Sequence, residues 1–240
     1  MRIDVLWTPA GVTGIDLEGR VAVVVDVLRS ATTILTALEA GARCAIPAES
    51  TEEAMRIANS LGRSNVLLCG ERGGVKVEGY DLGNSPMEFT ADRVAEATLV
   101  VSTTNGTPAM CRAAGADLLL IGCLRNMSSV VRRVRASGLA PAFVCAARHG
   151  TVSLDDAVCA GLMVRSFLSD DGQNELSDGA RAALEVAAAL GRPTADFLVT
   201  TAAGKALAEI GLVEDLPYCA AADVSSAVPE MRDGGLVLPE

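Results

Sequence analysis

Short apolar runs recur along the chain, at Ile3–Trp7, Val21–Val27, Cys44–Pro47, Val66–Cys69, Thr98–Ser102, Leu118–Ile121 and Ala142–Ala146. Runs of this length read as buried strands. Segments with helical periodicity separate most of them: Ala31–Ala40, Ser50–Leu61, Pro108–Ala114, Met127–Ser137 and Leu154–Leu168. Two carry start signals, Ser50 with Glu53 as a capping box and Pro108 near a first turn. This alternation predicts an α/β fold, a layered sandwich with a mainly parallel sheet and helices on both faces. The last third is helical at Asp178–Leu190 and Thr200–Ile210, then reads as an irregular tail containing Val and Pro. No repeat, low-complexity tract or linker divides the chain, so residues 1–240 read as one compact α/β domain with room for two lobes.

Composition sharpens this picture. Half of the 240 residues are hydrophobic but only 3% are aromatic, so Ala, Val and Leu do the packing. That suits helices on a parallel sheet better than a β-sandwich. A net charge of −10 argues against nucleic-acid binding, which needs a basic face. It also means that an anionic substrate requires local arginines or a metal ion. The seven cysteines, at 44, 69, 111, 123, 145, 159 and 219, form no C-x-x-C pair and have no histidine neighbour. They read as small core residues of a protein in the reducing cytoplasm. No apolar run approaches the ~20 residues of a membrane span, and "MRIDVLWTP" lacks a signal-peptide core. An Ala-rich chain could bury helix faces in a homodimer, although the pattern does not demand it.

Polar clusters follow four of the strands, where open α/β sheets bind ligands. In "VVVDVLRSATT", Asp26 falls at a strand tip, where a carboxylate can hold a divalent cation or attack a phosphoryl group. Arg29 offers bidentate bonds to an anion, and Ser30, Thr32 and Thr33 open a helix whose free N–H groups favour anions. An N-capping Asp beside a surface Arg would look the same. A haloacid-dehalogenase-type phosphotransferase needs a second Asp where Leu28 stands. "GERGGVKVEGYDLGNSP", residues 70–86, has too many glycines for a helix or an ordinary strand. It supplies Glu71, Arg72, Asp81, Asn84 and Ser85, and could equally be a solvated surface loop. "STTNGTP" places Thr103, Thr104, Asn105, Gly106 and Thr107 before a helix, as an oxyanion cradle or a plain turn with its cap. In "RHGTVSLDDAVCAG", His149 is the sole histidine, and a lone histidine is more often structural than catalytic. Asp155 and Asp156 are candidate ligands or favourable first-turn charges, with Asp156 the favoured inward one. Neither G-x-G-x-x-G nor the P-loop motif occurs.

Taken together, "DVLRSATT", "GERGG", "GYDLGNSP", "TTNGT", "CLRNMSSV" and "SLDDAVCAG" resemble the ordered signature blocks of the 2-phosphosulfolactate phosphatase family. The later "GKALAEIGLVEDLPYCAAAD" also fits, so the likeness spans nearly the whole chain. Ser30 stands where the family commonly has Ala and Tyr80 where it often has Phe, and "AARHG" falls where the family varies. The resemblance implies an α/β sandwich and a magnesium-dependent (Mg2+) hydrolase that converts 2-phosphosulfolactate to sulfolactate and phosphate, a step of coenzyme M biosynthesis. The ion would be held by some of Asp26, Glu71, Asp81 and Asp156. Asp26 would be nucleophile or base, Arg29 and Arg72 would hold sulfonate and carboxylate, and residues 103–107 with Ser30 would bind phosphate, beside Asn84 and Ser85. Action on another small anionic phosphate ester, or anion binding without turnover, are the alternatives.

Overall fold

A computed structural model describes residues 1–12, 17–62, 64–168 and 174–239. The seven apolar runs all become strands: β1 (Arg2–Leu6), β2 (Arg20–Val25), β3 (Cys44–Pro47), β4 (Val66–Arg72), β6 (Thr98–Ser102), β7 (Leu118–Gly122) and β8 (Ala140–Cys145). Shorter strands join them at β5 (Val75–Lys76), β9 (Glu175–Leu176), β10 (Glu230–Arg232) and β11 (Gly235–Val237). They form one mixed sheet in the order β5-β4-β6-β3-β11-β10-β7-β2-β8-β1-β9. Two parallel blocks stand out, β4-β6-β3 and β7-β2-β8-β1-β9. The hairpin β10–β11 joins them, antiparallel to β7 on one side and to β3 on the other.

This hairpin corrects the expectation of an irregular tail. Its turn is Asp233-Gly234, both at positive φ (49° and 81°), the backbone that a two-residue hairpin turn requires. A second such turn, Gly73-Gly74, folds the glycine-rich stretch back from β4 onto β5, so that stretch is partly strand.

Strand β2 shows why the apolar runs are continuous. Val21, Val23 and Val25 enter one core with Val130, Val134, Val158 and Met163, whereas Ala22 and Val24 enter another with Ile34, Leu35 and Met110. A strand covered on both faces has no polar side to display. The first core packs α5 (Met127–Ser137), α6 (Leu154–Leu168) and α7 (Asp178–Leu190) on one face of the β2 block. The second holds α1 (Ser30–Glu39) and α4 (Gly106–Ala113) with Ala22 and Val24 of one block and Ala45, Leu99 and Val101 of the other. Helix α2 (Thr51–Ser60) covers the remaining face of β4 and β6 through Ala54 and Ala58. Ser50 caps it by accepting from Glu53 N at 3.1 Å, while Glu53 reaches back to Glu49 N.

Short helices α3 (Ala91–Val94), α8 (Ala195–Leu198), α9 (Ala202–Glu209) and α10 (Asp215–Ala220) complete the fold. The cysteines are all free, and burial raises the thiols of Cys145 and Cys159 well above their ordinary range, which leaves them inert core residues. Among the described residues, no helix is long and apolar enough to cross a membrane.

Candidate active site

Asp26 follows the last residue of β2 and sits where two helices begin. Its Oδ1 accepts from the backbone N–H of Ser30, the first residue of α1, at 3.1 Å. Its Oδ2 lies against Gly106, the first residue of α4: a Cβ on Gly106 would collide with that oxygen and approach Ser30 Cβ to 2.5 Å. One carboxylate therefore occupies the positive ends of two helix dipoles, a setting that favours anions. The two helix starts also touch directly, with Ser30 Oγ 3.4 Å from Thr103 Oγ1. Thr103 and Thr107 lock the opening of α4, each backbone N–H donating to the other's hydroxyl at 3.0 Å.

A narrow cleft of about 40 Å3 opens over this point. Its polar wall comprises Asp26, Arg29, Glu71, Asn84, Thr103, Asn105, Gly106 and Arg148, with Gly73 and Gly74 of the tight turn. Ala203, Ala206 and Leu207 of α9, together with Ile210 just beyond it, give an apolar wall. Asn84 is buried, and its Oδ1 has no hydrogen-bond partner among the described residues. It is an acceptor available to a ligand.

Asp26, Glu71, Asp155 and Asp156 are buried around the cleft, and their hydrogen bonds separate them into two kinds. Glu71 is saturated: Oε1 accepts from Thr104 N at 2.7 Å, and Oε2 from Gly74 N at 2.6 Å and Thr104 Oγ1 at 3.0 Å. Asp156 is saturated too, accepting from Val27 N at 2.9 Å and Ala147 N at 3.2 Å. These two carboxylates tie loops together. Asp155 accepts from Ser153 Oγ at 2.7 Å through Oδ1, whereas its Oδ2 has no partner among the described residues. Asp26, by contrast, lines the cleft itself, with Oδ2 against Gly106. Burial first, and then the charge of Asp155, pushes the Asp26 carboxyl up to about 7. Burial raises Asp155 and Asp156 as well. Acids buried this close together cannot all ionise cheaply until a cation compensates them.

The structure gathers most of the sequence candidates and redirects others. Asp26, Arg29, Glu71, Asn84, Thr103, Asn105 and Gly106 line the cleft, and Ser30 and Thr107 hold its floor. Arg29 is fully buried, with Nη1 on Asp215 Oδ2 and Nη2 on Gly74 O, each at 2.8 Å. Ser85 donates to the other oxygen of Asp215 at 2.6 Å, so its hydroxyl is spent on that network. Arg72 turns away, donating to Ser102 O at 3.0 Å and to Ser102 Oγ at 2.6 Å. Asp81 is exposed, and its Oδ2 accepts from Leu68 N at 2.8 Å. The side chain of His149 is exposed.

The acidic candidates thus do not form a ready-made cage: among the described residues, no three His, Cys, Asp or Glu side chains converge as a cation site. Magnesium, however, commonly takes one or two carboxylates and completes its shell with water and substrate oxygens. Asp26, which lines the cleft, and the buried, unpartnered Oδ2 of Asp155 behind it fit that pattern.

Asp215 and Arg148 carry little signal in the sequence, and Asp155 stands there only as the less favoured of an adjacent pair. Asp155 was outweighed by its neighbour, although both lie in the first turn of α6 and both are buried. Asp215, within "VEDLPYC", had only an unexplained acid among apolar residues to mark it. Arg148 lay in a segment that the resemblance leaves variable.

Residues 7–234 match the family model described as 2-phosphosulpholactate phosphatase. The chain is 39% identical over 225 residues to a probable 2-phosphosulfolactate phosphatase of Symbiobacterium thermophilum, covering 94% of this chain and 97% of that one. It is 36% identical over 240 residues to a protein of the same description from Carboxydothermus hydrogenoformans, covering 99% and 97%. A third, from Thermotoga petrophila, is 34% identical over 238 residues, with 99% of each chain covered.

Proposed function

The chain belongs to the 2-phosphosulpholactate phosphatase family, and on that premise we propose that it is a phosphoric monoester hydrolase that cleaves 2-phosphosulfolactate to sulfolactate and phosphate in the cleft at Asp26. The observation that carries this reading is the convergence of two helix N-termini on one strand-tip carboxylate. The backbone N–H groups of Asn105 and Gly106, at the start of α4, receive the phosphoryl oxygens, where the helix dipole favours their charge. Asp26 presents Oδ2 to phosphorus, as nucleophile or as the base that orients the attacking water. Its near-neutral pKa suits proton exchange at physiological pH. Arg29, pinned between Asp215 and Gly74, positions the loop that carries Asp26. The apolar wall from α9 limits water around the reacting bond. Magnesium, held through Asp26 and Asp155, would neutralise part of the phosphoryl charge.

The test is phosphate release from 2-phosphosulfolactate, with Mg2+ and then with EDTA, beside a panel of small phosphate esters. Preferential turnover of the sulfonated ester, lost in EDTA and restored by Mg2+, is the expected result. Turnover of another ester alone would keep the site and replace the substrate. A folded, metal-supplemented protein inert toward the whole panel would overturn the hydrolase assignment.

A further inference from the structure

Two arginines border the cleft, and only one has its guanidinium engaged. Arg29 is buried against Asp215 and the Gly74 carbonyl. Arg148 is half-buried, and among the described residues no hydrogen bond or ion pair engages its guanidinium. A cation left without a partner at the edge of a polar cleft is available to a ligand.

Its backbone is fixed. Residues Arg148 and Thr151 exchange backbone hydrogen bonds at 2.8 and 2.9 Å, and Thr151 Oγ1 donates to Arg148 O at 2.7 Å. His149 and Gly150 between them both take positive φ, 49° and 75°, closing a tight two-residue turn. That turn is fastened to the phosphate cradle: His149 N donates to Asn105 Oδ1 at 3.0 Å, and Asn105 itself lines the cleft beside Gly106. The Arg148 side chain therefore starts from an anchored position next to the proposed phosphate seat.

We infer that Arg148 is a specificity-determining residue that binds the substrate's second anionic group, its sulfonate or carboxylate, while the phosphate occupies the α4 cradle. The inference rests on the hydrolase reading above. A guanidinium suits this task because its planar fork makes paired, charge-assisted bonds to oxyanions. Arg72, whose donors are spent on Ser102, is not placed to share it.

The test compares wild type, Arg148→Gln and Arg148→Lys on 2-phosphosulfolactate, on 2-phospholactate, which lacks the sulfonate, and on ethyl phosphate, which lacks both groups. Loss of a charge-assisted contact should cut the kcat/KM preference for 2-phosphosulfolactate over ethyl phosphate roughly 10- to 100-fold. The change should fall mainly on KM, and Lys should recover part of it. A preference lost against 2-phospholactate as well marks the sulfonate as the bound group. A preference lost only against ethyl phosphate marks the carboxylate, and either result supports the inference. Melting temperature should stay near wild type, since no hydrogen bond or ion pair of the guanidinium is abandoned. Equal loss on all three esters, or an unchanged preference, would overturn the role of Arg148 while leaving the hydrolase intact. A wild type inert toward all three would overturn the hydrolase reading, and this inference with it.

Discussion

Asp26 has an environment that penalises its charge in the folded state, and this has a measurable consequence. Its folded pKa of about 7 stands above the unfolded carboxyl value of roughly 3.9. Between those values the native state keeps a proton that the unfolded chain has released. Stability of the metal-free protein should therefore fall as pH rises from about 4 to 7, by on the order of a few kcal/mol, and stay lower above that. Asp155 and Asp156 act with the same sign. Melting curves of the metal-free protein at pH 5 and pH 8 check this, and Asp26→Asn should flatten the difference. Added Mg2+ should raise the melting temperature more at pH 8 than at pH 5, because only ionised carboxylates attract it. The neighbouring acids should separate cleanly. Asp156→Ala strands two buried N–H groups, of Val27 and Ala147, and should cost at least about 2 kcal/mol by urea denaturation. Asp155→Asn should leave the fold near wild type but abolish the Mg2+-dependent thermal shift. Which acid does which was not legible in "LDD", because adjacent helical positions differ by rotation alone and burial took both. The strand-tip Asp26 was legible, since a carboxylate ending a run of valines has no packing role.

At the level of elements, the meeting of α1 and α4 depends on the absence of a side chain at Gly106. Gly106→Ala adds a methyl where Asp26 Oδ2 and Ser30 already stand. Crowding a buried, closely packed point should cost about 1–3 kcal/mol, and phosphate release should fall at least about 100-fold; paired melting and rate measurements check both. Steric need of this kind is invisible to helix periodicity, which instead starts the helix at Pro108. The central strands and the helices α5, α6 and α7 were readable because each buries a long apolar pattern. Strands β5, β10 and β11 were missed because two or three residues carry no period. The pairs Gly73-Gly74 and Asp233-Gly234 were nonetheless a hairpin signal in plain sight.

Across the whole molecule, the hairpin β10–β11 makes two parallel blocks into one sheet, and the cleft draws residues from both: Asp26 and Arg148 from the β2 block, Glu71, Thr103 and Gly106 from the other. Topology of that sort lies outside any local window of sequence. Leu236 sits fully buried in the core shared by the blocks, opposite Ala45. Leu236→Ala should cost about 2–5 kcal/mol. Far-UV circular dichroism and the fluorescence of Trp7, held to Gly179 O at 3.1 Å, should report the same transition. A net charge of −10 works against a multiply charged ester, so on the proposed reading binding would depend on what the cleft gathers: two helix ends, Arg148 at its edge and an added cation. All of this converges on Asp26. The most direct test is the rate of Mg2+-dependent phosphate release from 2-phosphosulfolactate by Asp26→Asn, measured on protein shown by melting to be folded. A fall of at least about 1,000-fold is predicted, whereas a rate near wild type would contradict the assignment of Asp26 as the reacting centre.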